Sequence, residues 1–162
     1  MQSFKKFSHG INEEKVKFTN WVLPSDKDLA LEYKIEYQIK PLKNLTNDAF
    51  PTVQDFIKAV KKAKTINLTP AVDRKIEYRS RTKSKEAIIS LIKGYASYPE
   101  FRNEKTVEAI YQGYRDNKPM KMPFILKFSN GNLRIMSGNT RTDIAQHLGI
   151  TPKGVLIEVP SK

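Results

Sequence analysis

The chain has 162 residues, 39% of them hydrophobic and 28% charged, with no cysteine and a formal net charge of +12. That length suits one domain able to bury a core unaided, and the missing cysteine excludes a disulfide framework, a thiolate nucleophile and a cysteine-ligated zinc site. No apolar run approaches the roughly 20 residues of a membrane span, and none follows the basic opening as a secretory signal would require, so a cytoplasmic protein with no membrane contact is expected.

Residues 1–27 read as an N-terminal extension. Phe4, Lys5, Lys6 and Phe7 form a short amphipathic opening, expected to dock its rings on the body. From 28 to 40 the pattern alternates. Leu29, Leu31, Tyr33, Ile35, Tyr37 and Ile39 fall on one face of a long half-buried strand that Pro41 would stop. Thr52 and Asp55 form a capping box for a helix with Val53, Phe56, Ile57 and Val60 inward, ending near Lys64. Thr69 and Pro70 can start a second helix. Ile76, Glu77 and Tyr78 suggest a short strand. Ser84 can cap a helix carrying Ala87, Ile88, Leu91 and Ile92, closed by Gly94. After Asn103 another helix carries Val107, Ile110, Tyr111 and Tyr114 on one stripe.

The pattern is sharpest beyond residue 122. An apolar run over 122–128, headed by Pro123, is followed by Asn130-Gly131, a strong hairpin signal. Residues 133–136 return as the partner strand. Gly138 and Asn139 make a tight turn, 140–148 is a helix with Ile144, Ala145 and Leu148 inward, Gly149 stops it, and 155–159 is a last strand.

The strand-to-helix turn from Ser137 through Gly138, Asn139 and Thr140 to Arg141 has the makings of an anion site. The first amides of a helix point outward, and the helix dipole adds partial positive charge there. Gly138 allows close backbone approach, Asn139 or Thr140 can cap, and Arg141 offers a planar fork of donors. The competing reading is an ordinary turn with a surface arginine.

Residues 110–128, 130–150 and 155–159 together resemble the ParB/sulfiredoxin-like family. The shared order is a helix, a Pro-led strand, a Gly-containing hairpin, a second strand, a Gly-x-x-Arg turn, a helix ending in Leu-Gly and a closing strand. Gly138, Arg141, Ala145 and Leu148-Gly149 fall in the family's places. The best match is 105–160, about a third of the chain. The resemblance implies an α+β (α/β) domain over 28–162: a small mixed sheet with flanking helices and an N-terminal strand and helix elaboration. It also implies a nucleotide, ATP or CTP with Mg²⁺, held at the turn. An NTP-dependent phosphotransferase (kinase) or NTPase acting on a hydroxyl compound or DNA would follow. The alternatives are a non-catalytic nucleic-acid-binding or nuclease-like protein, and an accessory protein that has lost the chemistry. Asn139 stands where a sulfiredoxin carries cysteine, which excludes sulfinic-acid reduction. Partitioning members of the family continue into a helix-turn-helix domain, and with the sequence ending at Lys162 site-specific DNA partitioning is not expected. The opening residues are similar to those of tailed-phage proteins, which suggests a bacteriophage origin and a host-cell cytoplasm.

Other candidates follow. Arg79, Ser80, Arg81, Thr82 and Lys83 form a basic cluster before a helix, where the family carries a phosphate-reaching arginine; Arg81 and Thr82 would fill that role. The alternative is a solvated loop. Lys118 and Lys121 would lie near the mouth of the site, with Lys121 a phosphate ligand. Phosphoryl transfer needs a carboxylate at the acceptor, and Asp143 and Glu77 are the candidates. Asp143 reads equally as a first-turn acid on the helix dipole. His9 and His147 are too few for a metal site. Trp21, Tyr33 and Tyr37 read as core, with base stacking as the alternative. No Walker-type loop is present. The net charge of +12 points to nucleic acid as a partner.

Overall fold

The computed structural model describes residues 15–35, 49–93 and 104–160. Among these the chain is a mixed α+β protein with six helices, a five-stranded mixed sheet and a separate two-stranded parallel pair. The opening heptapeptide, His9, the stretch 36–41 that includes Tyr37, and Gly94 lie outside the described residues. The chain divides into two compact units. A helical unit comprises the described parts of Met1–Trp21, Ser80–Met120 and Thr140–Thr151. A sheet unit comprises those of Val22–Arg79, Lys121–Asn139 and Pro152–Lys162.

In chain order the strands are β1 (Trp21–Val22), β2 (Lys64–Asn67), β3 (Ile76–Glu77), β4 (Met120–Lys121), β5 (Phe124–Lys127), β6 (Leu133–Ser137) and β7 (Lys153–Glu158). The helices are α1 (Asp26–Glu32), α2 (Val53–Lys62), α3 (Pro70–Asp73), α4 (Lys85–Lys93), α5 (Glu104–Arg115) and α6 (Asn139–His147). β1 pairs with β4, and the large sheet runs β2-β7-β5-β6-β3.

The sheet unit is built around β5 and β7, parallel neighbours in register from Phe124 opposite Val155 to Lys127 opposite Glu158. Both strands are buried on two faces, as their unbroken apolar runs demand. One face carries Leu68, Ile76, Ile125, Ile135 and Leu156. Phe124, next to Ile125, joins a chain of rings in which Phe56 is central. Its centroid lies 5.7 Å from Tyr33, 5.7 Å from Phe50 and 6.1 Å from Phe124. The Thr52–Asp55 capping box forms as expected and sets the start of α2, so that Phe56, Ile57 and Val60 turn inward. The hairpin between β5 and β6 turns at Asn130 and Gly131, where Gly131 has φ of 89°. β6 then pairs antiparallel with β5, with a register shift opposite Phe124 and Ile125 that gives β6 an extra residue beside Ser137.

Two expectations are corrected. Residues 28–35 do not form a strand. Ser25 caps α1 by accepting from the Asp28 amide at 3.2 Å, and Asp26 and Asp28 occupy its first turn. Leu29 and Tyr33, four apart, are buried, and the Tyr33 hydroxyl donates to the Phe50 carbonyl at 2.6 Å. Leu31, assigned to the same face by the alternation, is 44% exposed. A cap, a favourable dipole and good helix formers outweigh the period-two pattern. The chain after α2 also continues as an edge strand, β2, antiparallel to β7, where only a helix end was expected.

In the helical unit Ser84 caps α4 by accepting from the Ala87 amide at 3.0 Å. Ile88 is its buried contact, while Leu91 is 38% exposed. Ile88 joins Val107, Tyr111 and Tyr114 of α5, Ile144 and Ala145 of α6, and Leu148 just after it. Phe18, Trp21 and Tyr114 meet edge to face, with Phe18 4.9 Å from each of the other two, so Trp21 is a packing residue. No helix of the described residues is long and apolar enough to cross a membrane.

Because Phe56 is fully buried and touches three rings, Phe56→Ala is expected to lower unfolding stability by about 3–5 kcal/mol. Urea denaturation of the two proteins measures this; a loss below about 1 kcal/mol would contradict the packing described.

Candidate functional site

β6 ends at Ser137, Gly138 takes φ of 101°, and α6 begins at Asn139. Such a φ is closed to ordinary side chains, so glycine is required where the strand turns into the helix. Across from this turn in the sheet unit lies the segment after β3. Tyr78 there has φ of 64°, a costly conformation for an aromatic residue. Asn139 holds that segment in place. Its Oδ1 accepts from Arg79 Nη1 at 2.7 Å and its Nδ2 donates to the Tyr78 carbonyl at 2.9 Å. A guanidinium only donates and a carbonyl only accepts, so the amide orientation is fixed by its neighbours. Arg79 is itself buried and donates through Nε to Asp73 Oδ1 at 2.6 Å. Asp73 closes α3, a one-turn helix capped by Thr69 with Pro70 at its start, as expected. A chain of polar contacts thus runs from Asp73 through Arg79 to Asn139 and Tyr78. The Arg134 guanidinium sits 3.7 Å from the centroid of the Tyr78 ring.

The helical unit has its own polar cluster. Asp143, only 1% exposed, accepts on Oδ2 from the Ser80 hydroxyl at 2.5 Å and from the Thr82 amide at 3.1 Å. One turn further along α6, His147 Nε2 lies 2.6 Å from the Thr82 carbonyl. A carbonyl can only accept, so Nε2 carries a hydrogen, and the ring's Nδ1 lies in hydrogen-bond contact with the Tyr111 hydroxyl at 3.0 Å. Asp143 and His147, four residues apart on one face of α6, therefore hold Ser80 and Thr82. The Tyr114 hydroxyl donates to the Arg141 carbonyl at 2.9 Å.

The residues singled out from the sequence fall into distinct places. Gly138 and Asn139 meet Tyr78 and Arg79. Asp143 and Thr82 meet each other, but Asp143 serves as a buried anchor in the fifth position of α6 rather than in its first turn. Ser137 is buried, and Thr140 and Arg141 are half-buried. Arg81 is exposed with φ of 44°. Glu77 is exposed on edge strand β3. Lys121 pairs with Asp28 at 3.0 Å, and this contact holds the Asp28 carboxyl below its usual range. Sequence reasoning missed Asp73, Tyr78 and Arg134 as members of the site, and read Arg79 only as part of a basic run. Partners such as Arg79 and Asn139, sixty residues apart, leave no periodic signal. Among the described residues no group of three or more acidic or histidine side chains that could hold a metal ion is found.

Burial pushes the Tyr114 phenol well above its ordinary range, with the Arg141 charge opposing in part, and burial also raises Tyr111. The folded state then keeps a Tyr114 proton that the unfolded chain releases near pH 10. Stability from this group is complete below that pH and falls above it, by about 1.4 kcal/mol per pH unit. Tyr114→Phe is expected to flatten the alkaline decline between pH 10 and 12, measured as denaturation free energy against pH. Identical slopes in both proteins would contradict it.

Comparison with family models, with curated proteins and with solved structures gave no match.

Proposed function

We propose that the protein binds a phosphate-bearing ligand, a nucleotide first among them, at the turn that opens α6, and that it is a ParB/sulfiredoxin-like protein. One observation carries this reading. The first turns of α1, α2 and α4 each hold a carboxylate, whereas the first turn of α6 holds none and carries Thr140 and Arg141 behind a glycine at φ of 101°. A carboxylate at a helix start satisfies the dipole internally. Its replacement by a guanidinium leaves that end suited to an anion from outside.

The order α5, β5, hairpin, β6, turn, α6, β7 supports the family reading, since it is the order the resemblance implies. The net charge of +12 adds long-range attraction to any phosphate ligand. Binding is better supported than phosphoryl transfer. Transfer needs a carboxylate aimed at the acceptor. Asp143 spends Oδ2 on Ser80 and Thr82, and Glu77 points into solvent from an edge strand. ATP or CTP with its own Mg²⁺ remains the first ligand to try, and a phosphate of nucleic acid the second.

Thermal-shift measurements with ATP, CTP, GTP, UTP and inorganic triphosphate, with and without Mg²⁺, test the reading. A ligand at about 100 times its Kd adds about 2.7 kcal/mol, or roughly 5–10 °C in Tm for a chain of this size. Arg141→Ala is expected to abolish that rise while leaving the unliganded Tm within about 2 °C. No rise with any ligand in the unmodified protein would overturn the proposal.

A further inference from the structure

Tyr78 is the most exposed of the large hydrophobic residues in the described chain, at 66%. An exposed ring on a flexible residue would need no explanation. This one is held. Its backbone sits at φ of 64°, its carbonyl is tied to Asn139, and the next residue, Arg79, is locked into a buried ion pair. Strained conformations of this kind cost roughly 1–3 kcal/mol and persist only where their surroundings enforce them.

The ring is also backed. Arg134 lies on β6, in register with Glu77 of β3, and its guanidinium covers one face of the Tyr78 ring. Its Nε is buried without a hydrogen-bond acceptor among the described residues, so the contact it makes here is with the ring. With one face on the guanidinium and most of the residue open, the second face is presented to solvent.

We propose that Tyr78, stacked on Arg134, is a platform for one unpaired nucleobase. A flat π surface on a rigid aromatic ring is what bases stack on, without regard to sequence. The positive charge directly beneath the ring disfavours a cationic guest, the other common ligand of exposed aromatic faces. The phosphates attached to a base suit a protein of net charge +12. The proposal rests on the phosphate-turn reading for the position of the attached phosphate, since Asn139 of that turn holds the Tyr78 carbonyl.

Fluorescence anisotropy at fixed salt separates the two claims. The probes are a short labelled oligothymidylate, an abasic strand of equal length, and free ATP and TMP as competitors. Tyr78→Ala is expected to weaken oligothymidylate binding about tenfold, leave abasic binding unchanged and leave Tm unchanged, and Tyr78→Trp to restore affinity. Free nucleotides that compete only when Tyr78 is present assign a mononucleotide ligand; dependence seen with the strand alone assigns nucleic acid. Equal loss on both strands, no loss on either, or no binding by the unmodified protein overturns the platform. A Tyr78 effect without any Arg141→Ala effect leaves the platform standing and removes the turn reading.

Discussion

The buried ion pair between Asp73 and Arg79, extended to Asn139, is the contact on which the geometry after β3 depends. A guanidinium taken out of water must have its charge matched and its donors used. Arg79 meets that demand with a carboxylate at one nitrogen and an amide oxygen at another. Removing one partner of such a pair typically costs about 3–5 kcal/mol, because the other is left charged and buried. Asn139 then has one group left, its Nδ2, and uses it on the Tyr78 carbonyl. A backbone conformation that tyrosine would not choose is fixed as a consequence.

α6 supplies anchors in both units by simple spacing. Asn139, its first residue, serves the sheet unit. Asp143 and His147, four and eight residues on, serve Ser80 and Thr82 in the helical unit. Each unit thus fixes its own share of the loop 78–82 through side chains of one helix. The basic cluster of 79–83 is accordingly divided by burial. Arg79 is buried in the ion pair with Asp73, whereas Arg81 lies at the surface.

Much of the fold was legible where local chemistry decides the outcome. The capping box at Thr52, the cap at Ser84, the turn at Asn130-Gly131, the glycine at 138 and the stop at Gly149 each act through neighbours a few residues away. Failures came where local signals conflict or distant partners decide. Residues 28–35 alternate like a strand, yet Ser25, Asp26 and Asp28 start a helix that buries Leu29 and Tyr33. β2 has little apolar character of its own and forms because β7 offers it an edge. The candidate site was legible as a backbone turn, since Gly138 and Arg141 carry that signal themselves. The assignment of Asp143 to anchoring, and of Tyr78 and Arg134 to one stack, depends on pairings across fifty or more residues that no pattern along the chain encodes.

A double-mutant cycle on Arg79 and Asn139 measures the central contact directly. Arg79→Ala, Asn139→Ala and the double variant are compared with the unmodified protein by urea denaturation. A charge-assisted bond at a buried site leads us to expect a coupling of about 1–2 kcal/mol, with the double variant less destabilised than the sum of the single changes. Additivity within about 0.5 kcal/mol would mean that the two side chains act independently, and the described ordering of Tyr78 would not hold.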